Sequence, residues 1–536
     1  MLPAVLLCAA VASVAQDTAH VVAVATTDVD GRATAWNNPA ITPHPGGLTR
    51  AARLVDPERS NPAHAEQPVL RIVSFNDLDG TLQTDDGRAV AARLKSSLDA
   101  SRAECGCATL AVAAGGQLSG TLVADMDYGR SVIDAMNLFD LDAATLGAHD
   151  LAWPRDTLRR RAAEATFPWV VTNVFDRTAG ARPLWMRSSI VTEVAGRRVA
   201  IIGYLSPAIA ARSRSDDIRT LDVRPAADAI GPVVARERER GADLVVLLAQ
   251  AGSACAVRGC DEELFDLAHE VSGLVDVIIA GGDGVAIDTV VAGVPVVQAL
   301  GQGRGWAVAD LLESGSGMPW RTKVEQLDHD GAVDSAVASV VVRHAEAVDS
   351  IVGRVVARVR LPMPWQPTPS SLSRLVADAF RNYGRADLAL LPLDMLGAGL
   401  EAGQVSYGDL LGVLPMRRQL TVVEMTGDQI TDAIELAVSG FTPTMELSGA
   451  RVRYDPGRDP GKRVREVRFV DGRKIGGRDV YSVAVPDVLT RGPKAIAPAS
   501  SGRPSGTLGV DVLARYLTRL PQPVEPPRDV RLELVD

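Results

Sequence analysis

From Leu70 to about Glu313 short apolar runs alternate with stretches in which apolar residues recur every three or four positions. The runs are LRIVSF, LAVAA, AATLG, PWVVTNV, RVAIIGYL, ADLVVLLA and VDVIIAG. They are too short for helices and rich in Val and Ile, so they predict strands covered on both faces, and the periodic stretches between them predict amphipathic helices. That alternation is the pattern of an α/β protein. A longer helical segment, DSAVASVVVRHAEAVDSIVGRVV, leads into a second block near Ala357. This block reads as mixed α/β, with helices at SSLSRLVADAFRNY and TGDQITDAIELAVS and strands at QLTVVEM, ARVRYD and REVRFV. No internal repeat is visible.

Ahead of these blocks the pattern fails. Residues 16–66 hold NNPAITPHPGG and DPERSNPAHAEQP, rich in Pro, Asn and small polar residues, and predict a leader or linker without regular structure. The first fifteen residues are an apolar run closed by Ser13, Val14 and Ala15, a small-x-small pattern that reads as a signal peptide and predicts export to a periplasm or the exterior. No later run is long and apolar enough to span a membrane. The expected organisation is a first domain over 67–330, a linker helix over 331–352 and a second domain over 353–536.

At 536 residues the chain exceeds one core, and a hydrophobic share of 46% suffices to build two. The net charge of -10 and an aromatic share of 4% argue against a nucleic-acid partner, which would require a basic face and stacking residues. Cys105 and Cys107 stand in ECGC, and Cys255 and Cys260 in CAVRGC. In an exported chain such an even set predicts disulfides. The expected pair is Cys255 with Cys260, since a ring closing over one residue between Cys105 and Cys107 is strained.

In α/β sheets chemistry collects beyond the carboxyl ends of strands. Those turns are FNDLDG, AAGGQLSGT, TLGAHDLAW, LLAQAGSAC and IIAGGDGVA. In order, spacing and flanks they resemble the 5'-nucleotidase and UDP-sugar hydrolase family of metallophosphoesterases, whose turns carry Asp-x-His, Gly-Asp, Gly-Asn-His-Asp/Glu, a lone His and Gly-His-x-His. The resemblance implies a metallophosphoesterase-like α/β sandwich followed by a 5'-nucleotidase C-terminal domain. It also implies a site of paired divalent cations that activates hydroxide and neutralises phosphate oxygens. The second block continues it in YGDLLGVLP, QLTVVEMTGDQITDAIE and LSGARVRYDP.

Against that pattern the turns are depleted. Asp77 remains, but Asp79 stands for a histidine, Gly116 for the bridging aspartate, Ala148 for the asparagine, Gln250 for a histidine, and Asp283 and Val285 for two more. Between residues 70 and 330 the only histidines are His149, His269 and His329, so a histidine-based dinuclear site cannot be assembled. His149 matches the family's phosphoryl-contacting histidine and is the candidate catalytic remnant; its alternative is a histidine held by its turn. Asp77, Asp79, Gln250 and Asp283 could instead offer oxygen to one hard cation, magnesium or calcium.

The nucleotide-handling motifs depart as well. The family's Asn-x-Gly-Gly-Ile-Arg falls on PLDMLG, leaving Pro392 and Gly397, its Pro-Phe-Gly-Asn loop is PMRR, and its Gly-Gly-Asp-Gly-Tyr segment is RGPKAI. Arg417, Arg418 and Phe441 are the candidate substrate-binding residues left; the alternatives are solvated arginines and a core phenylalanine. The sequence thus predicts an exported nucleotidase-like chain that needs no cofactor, is catalytically inactive, and binds a protein partner or a small anionic ligand. A hydrolase with an oxygen-rich single-cation site is the alternative.

Overall fold

A computed structural model describes residues 67–535, apart from 85, 212–215, 253–254, 257–258, 261–262, 313–319, 416–417, 491–494 and 498–501, together with strands Val22–Ala25 and Ala52–Val55. Two compact units meet between Ala345 and Glu346, within the helix Ser335–Val352.

The first unit stacks two sheets. One has five strands in the order Trp320–Gln326, Gly305–Leu312, Pro68–Phe75, Ala108–Ala113 and Ala143–Ala144. The other has eight and includes the parallel strands Arg197–Leu205, Leu244–Gln250, Val277–Gly281 and Val294–Gln298. Ile72, Val112, Ile201, Val246 and Ile279 interdigitate between them. The outer face of the five-stranded sheet joins a core with Leu94 and Leu98 of helix Val90–Cys105 and Ile133 of helix Arg130–Met136. Helices Ala226–Glu239 and Glu263–Glu270 cover the eight-stranded sheet through Ile230, Val234 and Leu267. Every residue of Leu244–Gln250 is buried, which is why that run carries no polar alternation.

Three local readings differ from the structure. The segment read as the strand PWVVTNV forms only the isolated bridges Ala144↔Trp169 and Val170↔Arg187 before a short strand at Val174–Asp176. Its Asn173 side chain bonds the Leu205 backbone at both N–H and C=O, so side-chain hydrogen bonds replace part of a ladder. Within the stretch expected to lack regular structure, Val22–Ala25 and Ala52–Val55 pair with each other, and the latter adds beside Ala286–Val291. The rest of that leader, and the signal segment, lie outside the described residues. Third, Cys105 and Cys107 are joined, with Cα atoms 5.1 Å apart. Gly106, at φ 61, supplies the left-handed turn that brings them together where the helix ends. Cys255 and Cys260 stand opposite each other across a two-stranded antiparallel ladder; their side chains lie outside the description.

The second unit centres on a five-stranded sheet ordered Met445–Ser448, Leu388–Pro392, Val480–Pro486, Gln419–Thr426 and Arg503–Leu508. The stretches SYGD and TGDQ are capping boxes. Ser406 and Asp409 close the start of helix Tyr407–Val413, and Thr426 and Gln429 that of Gly427–Ala437. A third box, Ser370 with Ser373, starts Ser371–Gly384.

Candidate functional site

The first two turns are stacked by their backbones: Asp77 N–H donates to Gly115 C=O at 2.8 Å, and Asp79 N–H to Gly116 C=O at 2.9 Å. Asp77 and Asp79 both hold left-handed conformations, at φ 46 and 50. Aspartate tolerates this region better than most residues, but outside a site it is an uncommon choice.

A closed hydrogen-bond network fills the turn. Gln250 Nε2 donates to Asp77 Oδ1 and to Ala114 C=O, each at 2.8 Å. Asp77 Oδ2 accepts from Asn76 Nδ2 and from Gly282 N–H, also at 2.8 Å. Asn76 is fixed in turn by Ala299, whose N–H it accepts at 2.9 Å. Burial pushes the Asp77 carboxyl above its ordinary value, and the Gly282, Gln250 and Asn76 donors pull it back.

Asp150, one residue beyond His149, is fully buried and accepts four backbone N–H groups: Gly116 at 2.9 Å, Gln117 at 2.8 Å, Leu118 at 2.9 Å and Gly147 at 2.7 Å. It locks the second turn onto the third. The turns' otherwise unpaired N–H groups give it its task.

A second, wetter pair lies beside this network. His149 Nδ1 is 2.7 Å from Ser119 C=O and 3.4 Å from Asp79 Oδ1, and Ser119 Oγ donates back to His149 C=O at 2.9 Å. Burial pushes the Asp79 carboxyl up to about 7, opposed by the His149 charge, raised further by Asp77 and Asp150, and opposed again by Arg304. Arg304 was not singled out from the sequence. Its Nε donates to Gly301 C=O at 3.0 Å, which holds it near Asp79.

A dinuclear site does not fit these residues. Among the described residues no group of three or more His, Cys, Asp or Glu could hold a metal. A Cβ at Gly116 would stand 2.4 Å from Asp77 Oδ1, on a backbone at φ 78, so the bridging position has no room for a carboxylate. The single-cation alternative fits no better. Gln250 turns an N–H donor toward Asp77, where a cation would need an acceptor, and both Asp77 oxygens are already in use. Asp283 is half-buried on the fifth turn, and Val285 packs against the helix-covered core.

In the second unit Arg418 faces Asp487, whose carboxyl is raised by burial and lowered by that guanidinium. Arg417 and most of RGPKAI lie outside the described residues. Gly397 is walled in, since a Cβ there would meet Pro415 Cγ at 2.8 Å and Gly412 O at 3.0 Å; no arginine fits. The core reading of Phe441 is corrected. It is fully exposed after helix Gly427–Ala437, beyond the reach of the Val438 and Met445 packing.

Residues 355–498 match the family of the 5'-nucleotidase C-terminal domain. A 5'-nucleotidase of Vibrio vulnificus is 22% identical over 84% of this chain and 90% of its own length. An endonuclease of Bacillus subtilis, YhcR, is 22% identical over 88% of this chain, which spans 42% of that protein. Among solved structures, a 5'-nucleotidase precursor from Thermus thermophilus has the same fold, with a TM-score of 0.53 and 21% identity over 87% of this chain and 99% of the other.

Proposed function

We propose that this chain, which belongs with the 5'-nucleotidases by its carboxyl-terminal domain and its fold, is an exported protein that has given up metal-dependent phosphoester hydrolysis and acts by binding. Its relatives include a 5'-nucleotidase and a metallophosphoesterase, and in this chain hydrogen bonds fill the strand-end turns. The observation that carries the reading is the Gln250 amide bonded at 2.8 Å to Asp77, with no space at Gly116 for a bridging carboxylate. Loss of the nucleotide anchor at Gly397 supports it from the second unit. Export rests on the apolar amino-terminal run with its small-x-small end. Among the described residues no helix is long and apolar enough to cross a membrane.

Function resides in the site and not in the fold, so a retained scaffold is free to serve another task. The test is elemental analysis of purified protein after dialysis against manganese, zinc and cobalt, combined with phosphate release from nucleoside monophosphates and p-nitrophenyl phosphate. No stoichiometric metal and no release are expected. Hydrolysis abolished by chelator or by Asp77→Ala would overturn the reading.

A further inference from the structure

Helix Ser335–Val352 is fastened to the first unit by Val337, Val340 and Val341, which join the core that holds Leu94 and Ile133. Among the described residues no later residue of the helix joins that core. Val342 and Arg343 are exposed, and the first unit ends at Ala345. His344 makes two polar contacts at this point. Its Nδ1 is 3.0 Å from Asp127 Oδ2, and its Nε2 is 3.0 Å from Asp134 Oδ2. The ring is thus gripped at both nitrogens, by the residue that ends helix Leu122–Met126 and by one on helix Arg130–Met136.

Two hydrogen bonds between ring nitrogens and carboxylate oxygens need two protons. A neutral imidazole carries one and turns a lone pair toward the other carboxylate. The second proton is held either by the ring or by Asp127, whose carboxyl burial pushes above its ordinary value, with the Ser131 N–H, the Ser131 hydroxyl and the His344 charge pulling it back. Either way the group contains one proton more than a neutral histidine and two carboxylates. Few other charges face it. Arg130 Nε lies 3.7 Å from the same Asp134 oxygen. Asp125, on the helix that Asp127 ends, accepts the Gly120 N–H. On its own helix His344 has only Val340, Val341, Ala347 and Val348 one turn away. The charges of helix Val90–Cys105, which packs on the same core, are engaged elsewhere: Arg93 with Gly331 C=O, Lys95 with Asp99 and Asp140, Arg102 with Asp99 and Phe139 C=O, and Glu104 with Arg71.

Helix Leu122–Met126 meets the strand-end turns at its other end, where Thr121 Oγ1 donates to Gly80 C=O at 2.7 Å, one residue after Asp79. We propose that His344, Asp127 and Asp134 form a proton-operated latch, closed while it holds the extra proton, that ties helix Ser335–Val352 to the segment leading to the Asp79 turn. The closed latch binds one proton more than the open one, so rising pH opens it. Opening frees the helix locally beyond Val341, its last anchor in the core. The latch goes beyond the binding reading of the strand-end turns and does not depend on it, since none of its three residues lies in those turns.

The test is native-state amide hydrogen exchange of the full chain from about pH 5.5 to about pH 8.5, a span that covers imidazole titration in general, with rates corrected for the intrinsic pH dependence of exchange. Protection at residues 343–348 should fall at least about tenfold across it. His344→Gln should remove that dependence. Asp134→Asn separates a latch from a merely structural contact. Its amide donates to the ring nitrogen that has lost its proton, while the remaining ring N–H serves Asp127, so protection should stay high at about pH 8.5. Asp79→Asn, which removes the titration at the strand-end turn, should leave the response at 343–348 in place. Protection there that is flat with pH in the wild type, that falls equally in Asp134→Asn, or whose fall disappears in Asp79→Asn overturns the proposal.

Discussion

Gln250 Nε2 lies 2.8 Å from Asp77 Oδ1 across 173 residues of sequence, and the same nitrogen reaches Ala114 C=O at 2.8 Å. One amide thus ties together the ends of three strands. Gln250→Leu removes the donor and leaves a buried carboxylate oxygen and a buried carbonyl without it. A loss of about 2–4 kcal/mol is expected in urea unfolding, since orphaned buried acceptors cost about 1–3 kcal/mol each and charged ones more. Chelator should leave wild-type stability unchanged. A wild type that loses stability on chelation would mean that an ion, and not this amide, holds the turns.

Gly116 stands where the family resemblance expects a bridging ligand, and placing a carboxylate there should fail by itself. With φ at 78 and a Cβ 2.4 Å from Asp77 Oδ1, Gly116→Asp adds backbone strain and drives a second carboxylate onto the first. Destabilisation of about 2 kcal/mol or more is expected, without metal uptake. Gly116→Ala separates the causes, because it carries the strain and contact without the charge.

Asp79 should make the protein less stable as pH rises through mild acid. Its folded value, about 7, lies above the ordinary value of 3.8, so the folded state holds the proton more tightly than the unfolded state. Stability contributed by that proton is complete below pH 4 and is lost between about pH 4 and pH 7. The full shift corresponds to at most about 4 kcal/mol, less what solvent at the 24% exposed side chain screens. Asp79→Asn should flatten the slope of unfolding free energy over that interval. An unchanged slope would place the titration elsewhere.

In the second unit Thr426→Ala should cost about 1 kcal/mol, since Thr426 Oγ1 accepts from Gln429 N–H and Gln429 returns a bond to the Thr426 N–H. Thr426→Ser should restore most of it. A loss equal in both variants would point to the methyl group's packing.

Peptide mapping of non-reduced protein should find Cys105 and Cys107 joined within one peptide, two hydrogens lighter than the dithiol. Two free thiols at those positions would contradict the turn made by Gly106.

Much of this protein is written in its local sequence. The fully apolar run at Leu244–Gln250 and the helix in TGDQITDAIELAVS were legible because their causes lie within a few residues of each other: side-chain period and β-branching. The scarcity of histidines between residues 70 and 330 needs nothing but counting. Tertiary structure alone decided what fills the strand-end turns. Nothing near Gln250 in the chain indicates that its amide meets Asp77, and nothing near Gly116 indicates that Asp77 occupies its side-chain space. Asp150 found its four N–H donors, and Ser189–Val194 was left at an open edge, only when strands distant in sequence took their order. Periodicity reports which face of an element is buried; it carries no information about which partner buries it, because burial is non-directional while a hydrogen bond is made to one particular atom.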